Sequence, residues 1–397
     1  MSISPLPLSY CTNVHPGLTI PAVVQGLSQF TQPVQKEFGG AVAAGLWLAK
    51  PVIKELLSDQ SALDRFANDL AALGLTCHTL NAFPYGDFHS DRVKDQVYLP
   101  DWSTRDRLDY TLGCAKVLAR FLPEGGEGSI STLPLGFKGH RQAEDFRTQV
   151  IGQLVAMADS LDHLKRETGK TIRLAIEPEP FCLLETTPET LDFFRAVHAA
   201  AKDSSMGDRL RDYLGVCYDV CHQAVEFEEI GSSIRSLDDA GIRINKLHIT
   251  CALQLDQPAT NAEGRRTLAT YAEPRYLHQT IGRKSNGDLL RFVDLTSDFA
   301  NTPQTDWEQA DLWRIHFHVP VNAEQIGPLK TTRPQLVEAL QTIATLNYAP
   351  HLEVETYTWG VLPGKSQQRT NRELIQGLSN ELRATRRLIE QISGNSA

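Results

Sequence analysis

The chain has 397 residues, 41% of them hydrophobic and 22% charged, which excludes a disordered or collagen-like chain and allows a large buried core. Acidic residues outnumber basic ones by 48 to 39, and a net charge of −9 disfavours nucleic acid as a partner. No run of about 18 apolar residues occurs, so no membrane insertion is expected. The run from Met1 to Gly17 lacks the basic and apolar regions of a signal peptide. Seven cysteines with no CxxC pair fit free thiols in a reducing, cytoplasmic setting. Cys217 and Cys221 have a spacing that could serve zinc, but they read as small buried hydrophobes.

In chain order, strand-like runs cover Leu8–Asn13, Ala43–Leu48, Leu75–Asn81, Gly128–Leu133, Thr171–Glu177, Leu214–Asp219, Asn245–Thr250, Leu312–Val319 and His351–Tyr357. Helix-like runs with apolar residues at three- and four-residue spacing separate most of them: Pro51–Leu73, Arg105–Phe121, Gln142–Thr168, Pro188–Ala201, Ile230–Ala240 and Arg333–Leu346. Strands alternating with helices predict a parallel sheet with helical crossovers. Eight or nine such units, with no GxGxxG after the first strand, favour a single (β/α)₈ barrel over a doubly wound nucleotide fold. The barrel is expected to span residues 1–397 as one domain. The segment 256–311 breaks the alternation. It holds two β-rich runs around Lys284-Ser-Asn-Gly287, a hairpin-type turn, and is expected to be an insertion or lid after strand 7, on the C-terminal face.

The strand phase points to the chemistry. In Ile172–Glu177, the aliphatic residues point one way and Glu177 the other. Asp219, His248, His316, His318, Glu353 and Glu355 stand in the same relation to the apolar residues of their own runs. They also lie near C-terminal strand ends, where barrels of this type keep their active sites. Buried charges persist only if paired or bound to metal. Glu177, Asp219, His248 and Glu355, one per strand, therefore read as ligands of a divalent ion, Mn²⁺ or Zn²⁺. His222, three residues after Asp219, can reach the same cavity. Asn81 and His89 on the loop after the third strand, and Arg275 and His278 in the insertion, are candidate substrate-binding residues, with His316 and His318 beside them.

The strand ends Ile176-Glu177, Asp219-x-x-His222, Leu247-His248 and Val354-Glu355-Thr356 resemble the xylose-isomerase-like barrel superfamily. That superfamily includes sugar isomerases, ketose 3-epimerases and endonuclease IV-type enzymes. Segments spread nearly end to end resemble the metabolite traffic protein EboE family more narrowly. Among them are Tyr10–Gly17, Asn81–His89, Glu177-Pro-Glu-Pro180, Cys217–Phe227, Glu273–His278, His316–Pro320 and His351–Trp359. The resemblance implies a role in a bacterial secondary-metabolite biosynthesis or traffic pathway. By the same resemblance, the four epimerase ligands map onto Glu177, Asp219, His248 and Glu355. The endonuclease type adds an Asp-x-His, replaced here by His316-x-His318, which leaves one ion or more than one open. The second epimerase acid/base falls on Leu183, with Glu179, Glu185 and Glu353 as substitutes. Barrels of this superfamily often dimerise, so a homodimer is among the expected assemblies.

The expected function is a metal-dependent isomerase or epimerase acting on a small molecule: a sugar, cyclitol or related polyhydroxylated metabolite. Glu177 and Glu355 would be its proton carriers. The alternatives are a zinc-dependent hydrolase or phosphodiesterase and a non-catalytic metabolite-binding protein.

Overall fold

A computed structural model describes residues 3–202, 204–364 and 370–394. Eight parallel strands close into a barrel: β1 (Ser9–Cys11), β2 (Ala43–Trp47), β3 (Thr79–Asn81), β4 (Glu127–Thr132), β5 (Thr171–Ile176), β6 (Leu214–Asp219), β7 (Ile244–Ile249) and, after a long excursion, β14 (His351–Val354). β1 lies between β2 and β14, which closes the ring. The architecture is the (β/α)₈ barrel predicted from the alternation of strands and helices.

The local reasons are visible at the helix ends. Thr104 caps the helix Arg105–Phe121 by accepting from the Arg107 backbone N–H. The helix Phe146–Thr168 stops at Gly169, whose φ of 70° suits a residue without Cβ. The predicted helix Pro51–Leu73 is broken in two at Asp59, whose Oδ1 accepts from Ser61 N at 2.9 Å and so starts a second helix, Gln60–Ala72. Arg107 is fully buried. Its guanidinium donates to the carbonyls of Ala82 and Phe83 and thereby fixes the loop that leaves β3 towards the site.

The excursion forms a sheet of its own, in the order β10-β9-β11-β8-β13-β12. Its strands are β8 (Leu253–Asp256), β9 (Thr280–Arg283), β10 (Leu289–Phe292), β11 (Leu312–Ile315), β12 (Gln325–Ile326) and β13 (Leu329–Thr331). β9 and β10 form the expected hairpin around Lys284–Gly287, with Gly287 at φ 89°. The sheet is wider than the segment 256–311, since it begins at Leu253 and ends at Thr331. The run 312–319 is the corresponding correction. Its first four residues pair antiparallel with β8 and β9 rather than joining the barrel. The remainder leaves the strand, carrying His316 and His318 inward, both buried.

Candidate metal centre

The C-terminal ends of β5, β6, β7 and β14 deliver Glu177, Asp219, His248 and Glu355 to one point. One ligand atom from each lies within 4.8 Å of the others. His248 Nδ1 is 2.9 Å from Glu177 Oε1, 3.2 Å from Glu355 Oε2 and 3.5 Å from Asp219 Oδ2. All four side chains are buried. Glu177 Oε2 and Asp219 Oδ2 are buried with no hydrogen-bond partner, in a place where an unpaired carboxylate oxygen is costly. Three carboxylates around one imidazole, with two carboxylate oxygens unspent, suit a divalent cation. The fit is therefore good: these four residues would hold the ion.

Each ligand is held in place. Asp219 Oδ1 caps the short helix Val220–Val225 through His222 N and accepts from Thr250 Oγ1 at 2.7 Å, which leaves Oδ2 turned to the centre. Glu355 Oε1 accepts from Asn13 Nδ2 at 2.8 Å and from Asn81 Nδ2 at 2.9 Å. Asn81 thus reaches the centre by orienting a ligand, and Asn13, not among the candidates from the sequence, does the same. Burial alone would raise Asp219, but the facing His222, His318 and His248 hold its carboxyl below the usual range. Glu355 is raised, by burial and then by the negative charges of Glu177, Asp219 and Glu353.

Beneath this layer Glu353 meets Lys246. Lys246 Nζ is 2.6 Å from Glu353 Oε1, and both side chains are fully buried. The same oxygen lies 3.3 Å from His248 Nε2. Glu353 therefore faces the back of a ligand imidazole. Burial would raise its carboxyl, yet Lys246 and His248 draw it down to about 2.

Beside the centre, three imidazoles converge. His222 Nε2 is 3.1 Å from His316 Nε2, which is 3.2 Å from His318 Nε2. Each Nδ1 faces an oxygen that can only accept: Pro178 O at 3.0 Å, Gln279 Oε1 at 2.8 Å and Glu355 O at 2.7 Å. The orientation of the Gln279 amide follows from its nitrogen, which donates to Tyr98 Oη, Glu179 Oε1 and Pro180 O. Each Nδ1 thus carries a proton, and the Nε2 atoms of His222 and His318 both face that of His316. Burial and the adjacent imidazoles push His316 well below its ordinary range, and burial brings His318 down to about 4. Burial would lower His222 as well, but the carboxylates of Asp219, Glu179, Glu177 and Glu355 raise it above its ordinary range, so the cluster favours positive charge, from a proton or a bound cation. Glu179, which the Tyr98 hydroxyl reaches at 2.7 Å, is pushed up to about 7 by burial.

Three sequence candidates have other partners. His89 Nε2 bonds the Asn13 carbonyl at 2.8 Å, outside the cavity. His278 bonds His316 O through Nδ1 and Glu273 Oε1 through Nε2, so it braces the backbone of a histidine in the cluster. Arg275 lines a different cavity, with Asp91 and Trp359. His89 and His278 thus bond groups of neighbouring loops rather than facing the cavity.

No protein-family model matches the chain, and no curated protein matches it. Solved structures do. L-ribulose 3-epimerase has a TM-score of 0.51 and 11% identity, with 98% of this chain and 96% of that one covered. A xylose isomerase-like TIM barrel protein from Mycobacterium smegmatis in complex with magnesium has a TM-score of 0.49 and 12% identity, covering 96% and 99%. The IOLI protein with a binding zinc atom has a TM-score of 0.49 and 13% identity, covering 97% and 99%. At such identities the likeness to L-ribulose 3-epimerase is one of fold: the chain shares its (β/α)₈ architecture almost from end to end.

Proposed function

We propose that this chain is a metal-dependent isomerase or epimerase whose substrate chelates through two neighbouring oxygens, as a sugar, cyclitol or related polyol derivative does. The observation that carries this reading is the ring of Glu177, Asp219 and Glu355 around His248 Nδ1, with two carboxylate oxygens left unpartnered in a buried site. A divalent ion bound there supplies Lewis-acid charge that acidifies a C–H bond between the two coordinated oxygens. Glu177 and Glu355 come from strands on different sides of the ring, so one carboxylate takes the proton from carbon and the other returns one on the opposite face. Asn13 and Asn81 keep Glu355 oriented for that transfer. Residues Tyr276 and Leu277 of the segment 256–311 line the cavity, and we read that segment as a lid.

His222, His316 and His318 are proposed to hold a second, nitrogen-preferring ion, with zinc the best match. That cluster also favours the second reading, a zinc-dependent hydrolase. The assignment to a secondary-metabolite pathway rests on the EboE-like segments alone.

The experiment is elemental analysis of natively purified protein, followed by incubation with candidate polyols in D₂O. Two metal equivalents, falling to one in His318→Ala, with deuterium entering a substrate C–H bond, are expected. Protein without metal overturns the reading. Metal with release of phosphate or acid and no exchange favours the hydrolase.

A further inference from the structure

The cavity above the metal centre is divided by chemistry. Its floor carries Glu177 and Glu355 of the four proposed ligands, with His222, His316 and His318 beside them. Its wall is built from Phe83, Pro84, Phe88, Val93, Val97 and Leu277. The polar groups that reach the wall are mostly spent. Lys94 Nζ is held by the carbonyls of Glu273 and Tyr276, at 3.0 and 2.7 Å, and by Asp294 Oδ2 at 2.7 Å. The Tyr98 hydroxyl donates to Glu179 and the Tyr276 hydroxyl to Phe88 O. The buried side-chain atoms of the lining that lack a hydrogen-bond partner, Asn13 Oδ1 and Glu177 Oε2, belong to the floor. Phe88, Tyr276 and Tyr357 form one aromatic cluster, with ring centroids 4.9–5.5 Å apart.

A polyol that fills such a cavity would lose the hydration of its outer hydroxyls and find almost no replacement. Among the described residues of the wall, a phosphate or carboxylate would find no free lysine or arginine, because Lys94 is saturated and Arg275 lines another cavity. An apolar group would lose nothing. We infer that the substrate is amphipathic: a chelating head of two adjacent oxygens on the floor, joined to an apolar or aromatic group seated against the wall of Phe83, Phe88, Val97 and Leu277. This rests on the metal reading above and narrows it, from free sugars to polyol or hydroxycarbonyl compounds that carry an apolar substituent.

Alkyl and aryl hydroxamates test it, because they share one bidentate head. Titration calorimetry of zinc-loaded protein with acetohydroxamate, 3-methylbutanohydroxamate and 3-phenylpropanohydroxamate is expected to show affinity rising along the series. The expected gain is at least tenfold overall, against about fourfold for each fully buried methylene. Val97 is half-buried, so Val97→Asn keeps the fold while adding a polar group to the wall; it is expected to reduce the gain to under threefold. Binding of acetohydroxamate with no gain along the series would overturn this inference and leave the metal centre standing. No binding of any hydroxamate to protein that also retains no zinc would overturn both.

Discussion

Two carboxylates that stand two residues apart on one chain, Glu353 and Glu355, do different work because they end in different layers of the barrel. Glu355 turns to the candidate metal centre and Glu353 to Lys246 and the back of His248. A carboxylate behind a ligand imidazole fixes its tautomer and raises its basicity. Gly45 makes room for it: a Cβ there would stand 1.5 Å from Glu353 Oε2, which no side chain can tolerate. Removing Glu353 alone would orphan a buried ammonium, so the informative variant is Glu353→Gln with Lys246→Met. It is expected to keep the fold and to weaken metal binding by about 10- to 100-fold, read by competition with a chromophoric chelator. Unchanged affinity would make the pair structural. Glu353 was legible from the sequence as an inward-facing acid. Its partner was not, because period-two patterning gives the side of the sheet and not the depth along the axis.

At the scale of elements, the second sheet is latched to the barrel by Arg291 of β10. Its guanidinium bonds both oxygens of Glu226 and reaches Glu185 Oε2 at 3.0 Å. Glu226 is buried, and burial pushes its carboxyl up to about 7 despite Arg291. Between its unfolded value near 4.5 and 7, the folded chain holds a proton that the unfolded chain has lost. Stability contributed by this group therefore falls as pH rises through that window. Arg291→Ala removes the cation and raises the folded value further. The loss in stability relative to the parent is expected to be small at pH 5 and to reach about 2 kcal/mol at pH 8, a figure set below that for fully buried pairs because Arg291 is partly exposed. Thermal melts at the two pH values check this; an equal loss at both would place the effect in packing. The run 312–319 belongs to the same scale. Its alternation is that of any half-buried strand, and only long-range pairing shows that it joins the second sheet and ends in two histidines aimed at the centre.

For the whole molecule, three buried carboxylates meet at one point around His248, and a cation bound there, as proposed, would couple metal binding to folding. Removal of metal by EDTA is expected to lower the Tm by about 5 °C or more and to be reversed by Zn²⁺ or Mn²⁺, following the linkage of ligand binding to stability. A Tm unchanged by chelation of protein shown to contain metal would separate the two. No helix among the described residues is long and apolar enough to cross a membrane. The sequence by itself determined the barrel and which acids and imidazoles face its axis. Those properties are set by local periodicity: one pleat turns Glu177, Asp219, His248 and Glu355 away from the aliphatic face of each strand, whatever the strand pairs with. Tertiary structure alone decided the partners. It bonded His89 and His278 to neighbouring loops, placed Arg275 at another cavity, brought Asn13 and Gln279 into the site, and set the Nδ1 atoms of three histidines against carbonyl oxygens so that their Nε2 atoms face inward. Those outcomes depend on contacts between residues tens to hundreds of positions apart, where an amide or an imidazole takes its role from whichever acceptor the fold places opposite it.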